Sequence, residues 1–197
     1  MSKTEFLIGR RGLDLIDDFY PEDLPSEWRF DYYATQFKAL CLPIDTKEDL
    51  ESIFEELEDS DEEFELALSV SPKLINNDKE LTTLLGAIES YKSLFVLFCE
   101  LDQLPSDKVI SLFKGFQVSF QSNNQLQLEL PVKEVAGKHL YFNHIPVLYT
   151  QNSRNEKQIR DYIQQAAVIN ERTILICQNA ESESLNKVRV IAEILGF

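Results

Sequence analysis

Arg10 and Arg11 follow a short apolar run, EFLIG (Glu5 to Gly9), and are followed by Gly12. Two guanidinium groups at the end of a buried strand have the planar donors needed to clamp a phosphate or carboxylate. The plainer reading is that they offset the acids of a chain with 34 acidic and 19 basic residues. Asn179 closes a second apolar run, TILICQN (Thr173 to Asn179), where an amide either binds a ligand or caps the next helix. Other chemistries lack their residues. The acid run EELEDSDEEFE (Glu55 to Glu65) has neither the alternating ligands nor the central Gly of a calcium loop, so it reads as a solvated helix end and turn. His139 and His144 have no Cys or carboxylate at ligand spacing, so no zinc site is expected. There is no nucleophile elbow, no phosphate-cradling glycine loop and no His-Glu-x-x-His motif. No catalytic set is defined, and neither a metal nor a cofactor is expected.

The formal charge of −15 opposes attraction to nucleic acid phosphates and to anionic lipid, so neither partner is expected. No apolar run approaches the ~18 residues of a membrane span. The opening MSKTEFLIGRRG lacks the apolar core of a secretory signal. Cys41, Cys99 and Cys177 sit in apolar runs without metal-type spacing, as buried thiols of a reducing compartment do. The expected location is the cytoplasm.

These residues must be positioned by the elements around them. Leu24 to Phe37 reads as a helix, with Pro25 in its first turn and Trp28, Tyr32, Tyr33 and Phe37 on one face. Strand-like runs at 38–44, 64–70 and 93–99 alternate with helical patterns built on Leu50, Ile53, Phe54 and Leu57, then on Leu81, Leu84, Leu85 and Ile88, then on Val109, Ile110 and Phe113. Thr46 and Asp49 resemble a capping box at the start of the first of these. Strand–helix alternation four times over argues for a parallel sheet covered by helices. FQVSFQSNNQLQLELP (116–131) then alternates apolar and polar residues around Ser-Asn-Asn and reads as a hairpin or two short strands. Two more apolar runs, LYF and VLY, fall within 138–150, and a helix, a strand and a last helix close the chain. One domain over 1–197, with about eight strands and six helices, is the expected organisation.

IGRRG (8–12), FYPEDLPSEW (19–28) and YYATQF (32–37) resemble, in order and spacing, the start of the YecE-like family, known as domain of unknown function 72. ALSVSPK (67–73), QLP (103–105) and ILICQN (174–179) look like later segments of the same family. The resemblance implies a TIM-like (β/α) barrel, incomplete or distorted over 116–150, with any site at the C-terminal mouths of its strands. It also implies that Trp28, Tyr33 and Phe37 seat the first helix on the barrel wall. Lys73 and Glu129 become site residues through the same resemblance, so Arg10, Arg11, Lys73, Glu129 and Asn179 form the ligand-binding set.

The departures from the family bear on activity. Ala39 to Pro43 carries no polar group where the family ends its second strand in a polar run. Ser69 stands in place of a Lys, Pro131 in place of an Arg, and Tyr149-Thr150-Gln151 where a His-Gly segment belongs. A mouth stripped of those charges cannot supply the same electrostatics. The expected function is therefore binding or protein interaction without catalysis. The alternative is a hydrolase-like enzyme acting on an anionic small molecule at the rim. A homodimer covering the irregular half is a further expectation.

Overall fold

The computed structural model describes residues 4–15, 19–60, 63–150 and 155–197. Residues 1–3 of the opening segment, Asp61 and Glu62 of the acid run, and Gln151 lie outside the described residues. The strands are β1 (Glu5–Arg11), β2 (Ala39–Pro43), β3 (Glu65–Ser69), β4 (Phe95–Glu100), β5 (Val118–Ser122), β6 (Val132–Val135), β7 (Lys138–Phe142), β8 (Val147–Thr150) and β9 (Arg172–Cys177). The helices are α1 (Arg29–Gln36), α2 (Leu50–Asp59), α3 (Pro72–Ile75), α4 (Asp78–Ile88), α5 (Asp107–Leu112), α6 (Glu156–Ala166) and α7 (Ser182–Leu195). All the strands belong to one sheet in the order β6-β7-β5-β4-β3-β2-β1-β9-β8.

The (β/α) barrel expectation is corrected by this sheet, which is a mixed, curled half-barrel. β1 to β5, β8 and β9 run parallel, whereas β7 is antiparallel to both β5 and β6. The physical reason lies between β5 and β8. Parallel neighbours need a crossover of a dozen or more residues, usually a helix. After β5 the chain instead runs through a loop to a tight hairpin, whose two turn residues, Ala136 and Gly137, have φ of 50° and 77°. Such a turn joins antiparallel strands only. The hairpin expected within 116–131 is thus displaced: β5 pairs with β7, and residues 123–131 form no strand.

Curling brings the outer edge of β8 against the concave face of β5. Val147 N–H donates to Ser119 Oγ at 2.9 Å, and Tyr149 N–H donates to Gln121 Oε1 at 3.0 Å. Gln121 Nε2 donates back to the Tyr149 carbonyl at 3.1 Å. Two side chains therefore satisfy backbone groups that a neighbouring strand would otherwise pair. At the far edge, β6 carries Lys133 and Glu134 behind Pro131, residue types that discourage further strand addition.

Strand alternation divides the apolar residues between two faces. The convex face and its helices bury Leu40, Leu42, Leu66, Leu68, Phe95 and Leu97 with Tyr33, Phe37 and Phe54. The concave face has its own cluster, including Leu7, Cys41, Val96, Phe98, Tyr149 and Ile176. At the N-terminal end of the strands, Arg172 reaches Glu5, Glu65 and Glu63 at 2.9, 3.3 and 3.5 Å. Burial raises the Glu65 pKa, opposed by Arg172.

The aromatic stretch is structural, with one correction. Phe19 packs against Tyr20, Tyr32 and Phe37, and Tyr20 donates to the Leu13 carbonyl at 2.7 Å. Tyr33 and Phe37 are buried as expected, but Trp28 is 58% exposed. Trp28 closes a 3-10 turn (Ser26–Trp28) and does not join the α-helix face, so helical spacing counted from it misplaces it; Phe30 takes the buried position instead. At α2 the N-cap is Asp49 itself, whose carboxylate accepts from Ser52 N–H, while Thr46 accepts from Glu48 N–H outside the helix.

A cleft of about 240 Å³ between α1 and α2 holds Asp31 and Glu56. Asp31 Oδ1 is buried without a hydrogen-bond partner. Burial, followed by the contact with Asp31, pushes the Glu56 carboxyl up to about 7. A raised acid binds its proton more tightly when folded, so its stabilisation is complete below the ordinary carboxyl range and is lost as pH rises through about 7. Glu56→Gln keeps a donor for Asp31 at every pH. The variant is expected to gain on the order of 1 kcal/mol over wild type at pH 8, a value reduced for solvent screening, and no advantage at pH 5. Urea unfolding at the two pH values checks this; an equal gain at both would refute a proton held by Glu56 beside Asp31.

Candidate functional site

The parallel strands point their C-terminal ends toward one mouth. β4 delivers Glu100 there as the only acid of FVLFCE, and β5 delivers Gln121, the register partner of Glu100 on the neighbouring strand. β7 enters antiparallel, so its first residue, Lys138, reaches the same end. β8 contributes Tyr149 and Thr150, and α6 contributes Tyr162. Together with Asp102, Ser122 and Asn123 they line a cavity of about 370 Å³, within the range of small-molecule sites.

The polar groups in this mouth hold one another. Lys138 Nζ is 3.8 Å from Glu100 Oε1, with both side chains about one-third exposed. Gln121 Nε2 also approaches Glu100 Oε1, at 3.3 Å. Behind them, Arg11 Nη1 donates to Tyr149 Oη at 3.5 Å. Burial works against the Arg11 charge, but Tyr149, Cys41 and Glu100 outweigh it and raise its pKa. Burial raises the Tyr149 phenol, with Arg11 opposing. Cys41, across from Arg11 on β2, is pushed up to about 12 by burial, against Arg11 and Ser69. A thiol so placed is not a thiolate nucleophile near neutrality.

The five residues expected to form the ligand set are distributed as follows. Arg11 stands behind the cavity wall. Arg10 lies on the opposite face of β1, buried, with Nη2 3.5 Å from Asp14 and with Nε and Nη1 lacking partners. Lys73 is exposed on α3, beside Pro72, which does line the cavity. Glu129 is exposed in the loop between β5 and β6. Asn179 is exposed in the turn after β9 with φ of 55°, and the N-cap of α7 is Glu181. None of the five is among the residues lining this cavity or its neighbour. The residues that do line it and were not singled out, Glu100, Gln121, Lys138 and Tyr149, each carry a polar group at the end or on the inner face of a strand.

A second cavity of about 560 Å³ adjoins the first and shares Pro72, Glu100, Leu101 and Asp102 with it. Among the described residues no group of three or more His, Cys, Asp or Glu side chains is arranged to hold a metal ion. No described helix is long and apolar enough to cross a membrane.

Comparison with protein-family models, with curated proteins and with solved structures finds no match for this chain.

Proposed function

We propose that the chain is a binding protein without catalytic activity, whose site is the polar cavity between the ends of β4, β5, β7 and β8. One observation carries this reading: Glu100, Gln121, Lys138 and Tyr149, from four strands, converge on a concave space, yet each of the four is committed to a neighbour rather than poised as nucleophile or base. Kinship with the YecE-like family is part of the proposal and rests on IGRRG, FYPEDLPSEW and YYATQF. A cytoplasmic location is likewise proposed, supported by the buried, free thiols of Cys41 and Cys99.

Thermal denaturation with a panel of small carboxylates, phosphates, amines, amino acids and sugars tests the binding role. A ligand at ~100 times its dissociation constant adds about 2.7 kcal/mol to stability. For a chain of this size that raises the midpoint by roughly 5–10 °C. The rise is expected to disappear in the double variant Glu100→Gln/Lys138→Met. A rise unchanged in that variant would place binding elsewhere. Turnover of a phosphate or carboxylate ester, abolished by Arg11→Ala, would favour the hydrolase alternative.

A further inference from the structure

We infer that the ligand is a small zwitterion, an ammonium and a carboxylate on one apolar-tailed molecule, which inserts between Glu100 and Lys138. This rests on the binding role proposed for the cavity. The two side chains form a loose ion pair at 3.8 Å on the cavity wall, each partly open to water. A simple anion drawn to Lys138 would separate the pair and sit beside two carboxylates, Glu100 and Asp102. A simple cation drawn to those carboxylates would leave Lys138 without its partner. Once a ligand covers the pair and excludes water from it, leaving one member uncompensated is the costly outcome. A zwitterion avoids both costs, because its ammonium replaces Lys138 at Glu100 while its carboxylate takes Lys138.

The adjoining cavity supplies the rest of the specificity. The wall shared by the two cavities is Glu100-Leu101-Asp102 with Pro72, so an ammonium held at Glu100 has the second space directly beside it. That space is lined by Ile75, Leu104 and Val109 alongside Asn76, Asp78 and Gln103, and Leu104 is 44% exposed. An exposed leucine inside a concave, partly apolar space suits a branched or aromatic side chain of the ligand.

Isothermal titration of the full chain with L-leucine, glycine, leucinamide, 4-methylpentanoate, inorganic phosphate and glucose tests the inference. L-leucine is expected to bind at least about tenfold more tightly than glycine, leucinamide or 4-methylpentanoate. Lys138→Met is expected to bring L-leucine down to the affinity of leucinamide without weakening leucinamide itself. Glu100→Gln is expected to weaken both amines about tenfold. Both side chains are partly exposed, so the variants fold, and their melting curves verify it. If phosphate or glucose binds in a Glu100- or Lys138-dependent way and L-leucine does not, the zwitterion class falls while the cavity remains a binding site. If nothing on the panel binds up to about 10 mM, or if neither variant alters binding, the cavity reading falls with it.

Discussion

Gln121→Leu is expected to lower stability by on the order of 4 kcal/mol, a fall in melting midpoint of roughly 8–16 °C for a chain of this size. Gln121 is 1% exposed, and its amide takes the Tyr149 N–H at 3.0 Å and supplies the Tyr149 carbonyl at 3.1 Å. β8 pairs with β9 on its other side, so these two groups have no strand to turn to when the amide is removed. An unsatisfied buried donor or acceptor costs about 1–3 kcal/mol, and the substitution creates one of each. Leucine nearly preserves volume, so the loss reports polar pairing more than packing. Midpoints from thermal and urea unfolding give the number. A loss under about 1 kcal/mol would mean that the seam between β5 and β8 does not hold the sheet's curl.

Gln121→Glu separates the two halves of this interaction. A carboxylate can still accept from Tyr149 N–H but cannot donate to the carbonyl, and it stands opposite Glu100. Protonation restores the donor and removes the repulsion. The deficit of this variant relative to wild type is therefore expected to shrink as pH falls from 8 to 5. A pH-independent deficit would point to shape alone.

The seam shows what was legible in the chain and what was not. Helices α2, α4, α6 and α7 could be read because apolar residues at i, i+3 and i+4 need only local geometry to reveal a buried face. β1 to β4 could be read from runs apolar on both faces. β5 carries the opposite signal: in VSFQS, Ser119 and Gln121 recur at the strand period on a face that is buried. Polar residues at period two ordinarily mark a solvated face, so the stretch reads as half-exposed hairpin. Their burial is explained only by β8, nearly thirty residues later, whose backbone they bond. The same limit applies to the mouth. Glu100 and Lys138 come from strands 38 residues apart in sequence, and nothing local marks them as partners. Arg10 and Arg11 illustrate the converse. Their adjacency looks like a paired clamp, but alternation along β1 sends one to each face of the sheet.

Gly9→Ala is expected to be at least as damaging as many core truncations, costing about 3 kcal/mol or more and roughly 6–12 °C in midpoint. A methyl group built on Gly9 would lie 1.8 Å from the Ala39 carbonyl oxygen and 2.4 Å from its carbon, both backbone atoms of the neighbouring strand. No side chain can swing aside to make room, so β1 and β2 would have to separate. They are held by more than their ladder at that point. The Tyr33 hydroxyl accepts from Arg10 N–H at 3.0 Å and donates to that same Ala39 carbonyl at 2.9 Å, bridging the two strands while fully buried. Forcing the strands apart breaks this relay and disturbs the seating of α1 with it. Tyr33→Phe removes the relay without the steric push, and should cost about 1–3 kcal/mol by leaving the strand groups unpaired. Because both changes strain the same contact, the double variant should fall short of the summed losses by about 0.5 kcal/mol or more. Strict additivity in urea unfolding would mean that the glycine and the tyrosine act independently.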